Sequence, residues 1–260
     1  MLKKHNAIIL HEIVEATSND DDKNNRLPFE DIFYDSFNKI ISKGIICRSV
    51  VKAASLDPLS KPGIILTFDD GHKSDIELAL PLIQCANFTA TFFIVPNFIG
   101  TESFMNWTDV RRLFNAGMEI GSHSMNHSDF RHLDENTASL ELTSSKSEIE
   151  NKIGSSIKSF SFPFGFAPKK HIELAKTIGY ENIMGSQHGL IGEFDRTLMP
   201  RNSIHGQMSD KQINATLIAS RPLQVRWKTE DTIKPILKKI LPNSTYNRIR
   251  KLVAGGTRSI

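Results

Sequence analysis

The sequence predicts an α/β fold, a parallel sheet with helices outside it, on three observations. Short apolar runs that look like buried strands alternate with helical stretches through most of the chain. A succession of strand, helix and strand implies parallel pairing with the helices packed outside. The residues with chemical potential fall where strands end and loops begin, as barrels place them. This rhythm fits either an open doubly wound sheet or a closed barrel.

Taken in order, residues 28–41 place Phe29, Ile32, Phe33, Phe37, Ile40 and Ile41 at helical spacing, with Pro28 suited to a first turn. Strands are predicted at GIILTF (63–68), FTATFFIV (88–95), MEIGS (118–122) and KSFSF (158–162). Helices are predicted over 74–86, from a Thr108 cap to Gly117, and from an Asp134 cap to about Gly154. A further helix over 169–178 is stopped by Gly179 before the apolar piece 180–184.

The chain has 260 residues and an ordinary globular composition, 39% hydrophobic and 23% charged, so overall disorder is excluded. No Pro/Gly/Ser-rich linker divides it, and one main domain is expected over 1–220. The tract NDDDKNN (19–25) is too polar to pack and reads as an exposed loop. Cys47 and Cys85 form no CxxC pattern, so both read as buried small hydrophobes.

The amino terminus has a basic start, but its apolar run ends at His11 and Glu12 without a small-residue cleavage site, so no secretory signal is expected. No run approaches the roughly 20 apolar residues that span a bilayer. A cytoplasmic location is the resulting expectation. Net charge is only +3, which argues against a nucleic-acid partner. Residues 221–260, however, carry ten Lys/Arg against Glu230 and Asp231, a net +8 that leaves −5 for the rest. This segment is expected to be a basic amphipathic helical extension. It either packs on the domain or contacts the anionic inner face of a membrane, each surface cation contributing about 1 kcal/mol.

Two points concentrate the chemistry. In TFDDG an apolar strand runs into Asp69 and Asp70, adjacent carboxylates that repel unless a cation or hydrogen-bond network satisfies them. One metal ligand and one general base would do so; an ordinary strand-to-turn Asp-Gly is the plain alternative. In IGSHSMNH a second strand delivers His123 and, four residues on, His127, a spacing that lets two imidazoles converge on one ion. Asp70 can supply a third ligand and leave positions open for water and substrate.

TFDDG, then WTDVRRLFNAGMEIGSHSMNH from Trp107, then ELTSSKSEIENKIGSSIKSFSFPFG from Glu141, resemble in order and spacing the polysaccharide deacetylase family, carbohydrate esterase family 4. The resemblance runs from about Ala7 to the region of His205, and its opening strand IILHEI places His11 where many members carry a histidine.

The resemblance narrows the fold to a distorted (β/α) barrel of about seven parallel strands with outer helices. It implies Asp69 as general base and Asp70, His123 and His127 as ligands of a divalent ion, usually zinc. It implies that Pro163 and Phe164 of FPFG line the substrate, with the Phe164 N–H supporting the oxyanion. His205, in RNSIHG, takes the place of the histidine that protonates the leaving group.

Two departures stand out. Ser161 occupies the place of an arginine that orients the catalytic Asp in many members, and the Asp-x-Trp pattern is absent near Met184. Arg201 is the candidate to pair with Asp69 instead.

The implied activity is a metal-dependent hydrolase that removes an N- or O-acetyl group from a sugar of a polysaccharide or its lipid-linked precursor. The alternatives are a deformylase or amidase of a small or lipid-linked amido sugar, and a decayed glycan-binding protein.

Overall fold

A computed structural model describes residues 4–15, 31–55, 63–192 and 198–240, with side chains through residue 230. The expectations for 19–25, for Pro28 and Phe29, and for the end of the basic tail lie outside these residues. The chain divides into two units, Met1–Ala219 and Ser220–Ile260.

In the first unit the opening strand β1 (Asn6–Leu10) lies parallel to β5 (Ile64–Asp70), Ile8 opposite Leu66. Beyond β5 follow β6 (Thr91–Ile94), β7 (Glu119–Ser122), β8 (Ser159–Ser161) and β9 (Asn182–Met184), every pairing parallel. On the other side of β1 lies β10 (Asn202–Ser203). The sheet order is therefore β10-β1-β5-β6-β7-β8-β9, with β4 (Cys47–Arg48) beside the start of β5. A parallel bridge between Met184 and Met199 brings the two ends together and curls the sheet into the distorted barrel.

The strands sort their side chains by their two-residue period. Ile65, Phe93, Ala7, Met184 and Met199 form one buried cluster; Leu66, Phe68, Phe92, Ile94 and Phe160 point the other way into the larger cluster with the helices. The helices are α1 (Tyr34–Ser42), α2 (Val50–Ala54), α3 (Leu80–Cys85), α4 (Trp107–Asn115), α5 (Glu135–Ile153), α6 (Lys169–Ile178) and α7 (Asp210–Leu217). Helix α8 (Arg221–Ile240) belongs to the second unit, and no helix among the described residues is long and apolar enough to cross a membrane.

Asp134 caps α5, and Gly154 and Gly179 end α5 and α6 with φ of 73° and 103°, as their positions predict. Four expectations need correction. Ile32 and Phe33 do not belong to the first helix; they form β3 (Ile32–Phe33) against β2 (Ile13–Val14). A waiting strand partner outweighs helical spacing for a β-branched and aromatic pair. Helix α4 is capped by Asn106, not Thr108: Asn106 Oδ1 accepts from Thr108 N and Asp109 N, and Asp109 returns the bond to Asn106 N.

The helix over 74–86 opens as a π-helical stretch, Asp75–Ala79. The widened turn precedes Pro81, which has no N–H to offer and would crowd the carbonyl of Glu77 in an α ladder. Finally, Cys47 is buried but Cys85, in the last turn of α3, is exposed.

Candidate active site

Strand β5 ends on the two aspartates. Asp69 is opposite Phe93 and Asp70 opposite Ile94, so their side chains leave opposite faces of the strand. Asp70 then adopts φ 78°, a left-handed conformation that costs a non-glycine residue about 1–3 kcal/mol. His123 follows the last residue of β7, and its N–H is held by the Ile94 carbonyl at 2.8 Å. Ser124 and His127 also have positive φ, 65° and 56°, and the loop between them swings the second histidine back toward the first.

Asp70 Oδ1 then lies 3.6 Å from His123 Nε2 and 3.4 Å from His127 Nε2. The three ligand-type atoms lie within 4.8 Å of one another, a spacing that can hold a metal ion. The donor chemistry fits. His123 Nδ1 is 2.8 Å from the Ser161 carbonyl, which requires the proton on Nδ1 and leaves Nε2 with its lone pair. Asp70 Oδ1 is buried and accepts no hydrogen bond. An orphaned acceptor between two imidazole nitrogens fits a cation site. Burial disfavours charge on Asp70, but His72, His123, His11 and His127 outweigh it and hold its carboxyl below the ordinary range. Burial dominates at His123 and lowers its pKa, favouring the neutral, ligand-competent ring.

Asp69 has different company. Arg201 is 1% exposed, and its guanidinium grips Asp69 through Nη1–Oδ1 and Nη2–Oδ2, both 2.7 Å. The same side chain donates to Thr67 Oγ1 (3.0 Å), Ser161 Oγ (2.6 Å) and the Gly185 carbonyl (2.9 Å), and lies over the Phe93 ring. Ser161, where the resemblance implies an arginine, is thus one of the groups that hold an arginine delivered from just ahead of β10. Burial would raise the Asp69 pKa; the Arg201 charge, with His123, Arg201's hydrogen bonds and His11, brings it below the ordinary value.

Phe164 is 55% exposed and stands in the left-handed region (φ 60°, ψ 4°) after the buried Pro163. Its ring is 4.9 Å from that of His127, which also neighbours Phe98. His205 lies two residues beyond β10, half-buried, and burial lowers its pKa. β10 runs beside β1 and β1 beside β5, so His205, His11 and the Asp69–Asp70 pair lie at the same ends of three neighbouring strands.

Sequence reasoning left three contributors unassigned. His72 Nε2 lies 3.8 Å from Asp70 Oδ2 and its Nδ1 3.8 Å from Glu12 Oε2, with its ring stacked on Phe104. His11 acts on both aspartates. Asp75 is fully buried, neither oxygen accepts a hydrogen bond, and its pKa is raised by burial and then by Asp70, Asp69 and Glu12. His11, beside Glu12 just past β1, and His72, two residues past Asp70, were visible as a pattern; Asp75, inside an apolar helix, was not.

The comparisons with known proteins agree with this architecture. The sequence model of the polysaccharide deacetylase family matches residues 57–183. The Bacillus subtilis protein YxkH, whose name assigns it to the polysaccharide deacetylases, is 24% identical over 122 residues, covering 47% of this chain and 44% of that protein. A bifunctional xylanase/deacetylase of Pseudobutyrivibrio xylanivorans is 26% identical over 148 residues, 52% of this chain and 24% of the other. The chain thus matches less than half the length of these relatives.

Among solved structures, the Streptococcus pyogenes deacetylase PplD superimposes with a TM-score of 0.73 at 19% identity, over 84% of this chain and 99% of that one. A de-N-acetylase from Aggregatibacter actinomycetemcomitans gives 0.71 at 20%, over 83% and 100%. At such identities these two show a shared fold. The family match spans the strands that lead to Asp69, Asp70 and His123, and over that region the chain is similar to the polysaccharide deacetylase family.

Proposed function

We propose that the protein is a metal-dependent hydrolase that removes an acetyl group from a sugar of a polysaccharide or its lipid-linked precursor. The observation that carries the reading is Asp70 Oδ1, buried without a hydrogen bond between two imidazole Nε2 atoms at 3.4 and 3.6 Å. Asp70, His123 and His127 would hold the ion, and an imidazole and carboxylate donor set suits zinc. When bound, a divalent ion supplies Lewis acidity toward an acyl carbonyl and lowers the pKa of water.

The remaining chemistry belongs to the chain. Asp69, kept ionised and in one orientation by the Arg201 fork, takes the proton from the attacking water. The Phe164 N–H faces the developing oxyanion, and the exposed Phe164 ring with Pro163 gives a sugar ring an apolar surface. His205, neutral at rest because burial lowers its pKa, delivers a proton to the leaving amine or alcohol after it has collected one. The basic segment 221–260 supports a cytoplasmic place against the anionic inner membrane face, where a lipid-linked sugar would be presented.

The test is metal analysis of the purified chain with acetate and formate release measured across acylated sugars and lipid-linked sugars. Acetate release that disappears in Asp69→Asn while bound metal remains is the expected result. Neither metal nor release in the wild type would sink the reading, and formate alone would replace acetyl with formyl.

A further inference from the structure

The loop that carries the two histidines has no regular structure and contains two residues in the left-handed region, Ser124 and His127. Something must hold it, and one side chain does most of this. Glu141, on the second turn of α5 and 6% exposed, points its carboxylate into the loop. Oε2 accepts from the backbone N–H of Met125 (2.9 Å) and of Asn126 (3.0 Å). Oε1 accepts from Asn126 Nδ2 (2.7 Å) and Ser128 Oγ (2.9 Å). All three residues lie between His123 and His127 or next to them. Asn97, just past β6, braces the same segment: its N–H donates to the Met125 carbonyl at 3.2 Å and its side chain to Asn126 Oδ1.

We infer that Glu141 is a positioning residue for the metal centre, a carboxylate that never reaches the ion but fixes where the second histidine stands. The inference rests on the reading of Asp70, His123 and His127 as the ligand set. Two successive backbone N–H groups converging on one carboxylate oxygen define the turn at Met125–Asn126, and that turn sets the direction in which the chain re-approaches Asp70 at His127. His123 is fixed independently by its place at the end of β7 and its bond to Ser161. The distance between the two imidazoles therefore depends on the loop, and the loop depends on Glu141. A buried carboxylate accepting four hydrogen bonds from one loop is otherwise an expensive way to anchor a helix.

The experiment measures zinc affinity of the full chain by competition with a chromophoric chelator, beside amide exchange in the metal-free protein. Glu141→Ala is expected to weaken zinc binding about ten- to a hundredfold, the range for groups that orient metal ligands, and to speed exchange at Met125 and Asn126. Glu141→Gln, whose remaining oxygen can keep both backbone bonds while Ser128 accepts from its NH2, is expected to recover most of the affinity. Ala138→Gly, which loosens α5 and removes none of the hydrogen bonds between Glu141 and the loop, serves as the comparison for a merely structural effect.

Affinity of Glu141→Ala within about threefold of wild type, or a loss matched by Ala138→Gly, would overturn the inference. If Glu141→Ala does not fold, Glu141→Asp replaces it; it keeps the charge but withdraws it by one methylene, and must show the same loss. A wild type that binds no zinc, cobalt or manganese would fail the ligand reading itself, a different result from a binding wild type with an indifferent Glu141.

Discussion

Replacing Arg201 with Met removes the closest ion-pair partner that the described residues give to a carboxylate itself 1% exposed. Asp69 would lose two charge-assisted bonds of 2.7 Å and retain Ser161 Oγ at 3.3 Å and His123 Nε2 at 3.5 Å. Breaking one side of a buried ion pair costs about 3–5 kcal/mol. A domain stable by about 5–15 kcal/mol would survive that with a markedly lower urea midpoint.

The sharper expectation concerns the pair. Arg201→Met combined with Asp69→Asn leaves no uncompensated charge, so the double variant should be more stable than Arg201→Met alone by about 1–3 kcal/mol in urea unfolding. The pH dependence follows from the depressed Asp69 pKa. Its ionisation stabilises the fold above the unfolded carboxylate value, and that contribution is lost as pH falls through the lower folded value. In Arg201→Met the acid-unfolding limb should move to higher pH. A single variant within about 1 kcal/mol of wild type, or a double variant no better than the single, would refute the account of Arg201 as the charge that permits Asp69 to be buried.

Asp75 has the opposite signature. Its folded pKa lies above the unfolded value, so the unfolded chain holds fewer protons once pH exceeds the ordinary carboxylate range, and stability falls as pH rises toward the folded value. Asp75→Asn should flatten that slope and gain stability at neutral and alkaline pH; thermal melts from pH 4 to 9 that superimpose on wild type would contradict it. Phe164→Asn should hold or raise the melting temperature, since Asn tolerates a φ of 60° and an exposed ring contributes little, by about 1 kcal/mol at most, while KM for an acylated glycan rises. An unchanged KM would remove Phe164 from the sugar surface.

Some of this was readable because it is local. TFDDG and SHSMNH each place their chemistry within five residues of a buried strand, and a strand buried on both faces announces itself by continuous apolarity. The caps at Asp134, Gly154 and Gly179 are equally local. What escaped depends on contacts made across the chain. Phe33 has helical spacing but meets a strand partner about twenty positions earlier. Thr108 is as good a cap as Asn106 until the reciprocal bond from Asp109 decides between them. Arg201 reads as the candidate partner of Asp69 from its place near a strand end, but its loop context does not show that the side chain also binds Thr67, Ser161 and the Gly185 carbonyl on the way. Glu141 reads as a polar position on a helix of low amphipathicity, because its partners lie on a loop that the helix packs against.

The origin of Arg201 bears on how the chain comes together. Asp69 and its arginine are separated by 132 residues, so a ribosome has released most of the sheet before the balancing charge exists. Until β10 docks beside β1, the inner end of β5 carries an anion that can be sealed from water only at great cost. The earlier strands can pair, but the centre must stay hydrated. Closure of the sheet and pairing of Asp69 are then a single event that waits on residue 201, and a chain truncated before it would be left open at its centre.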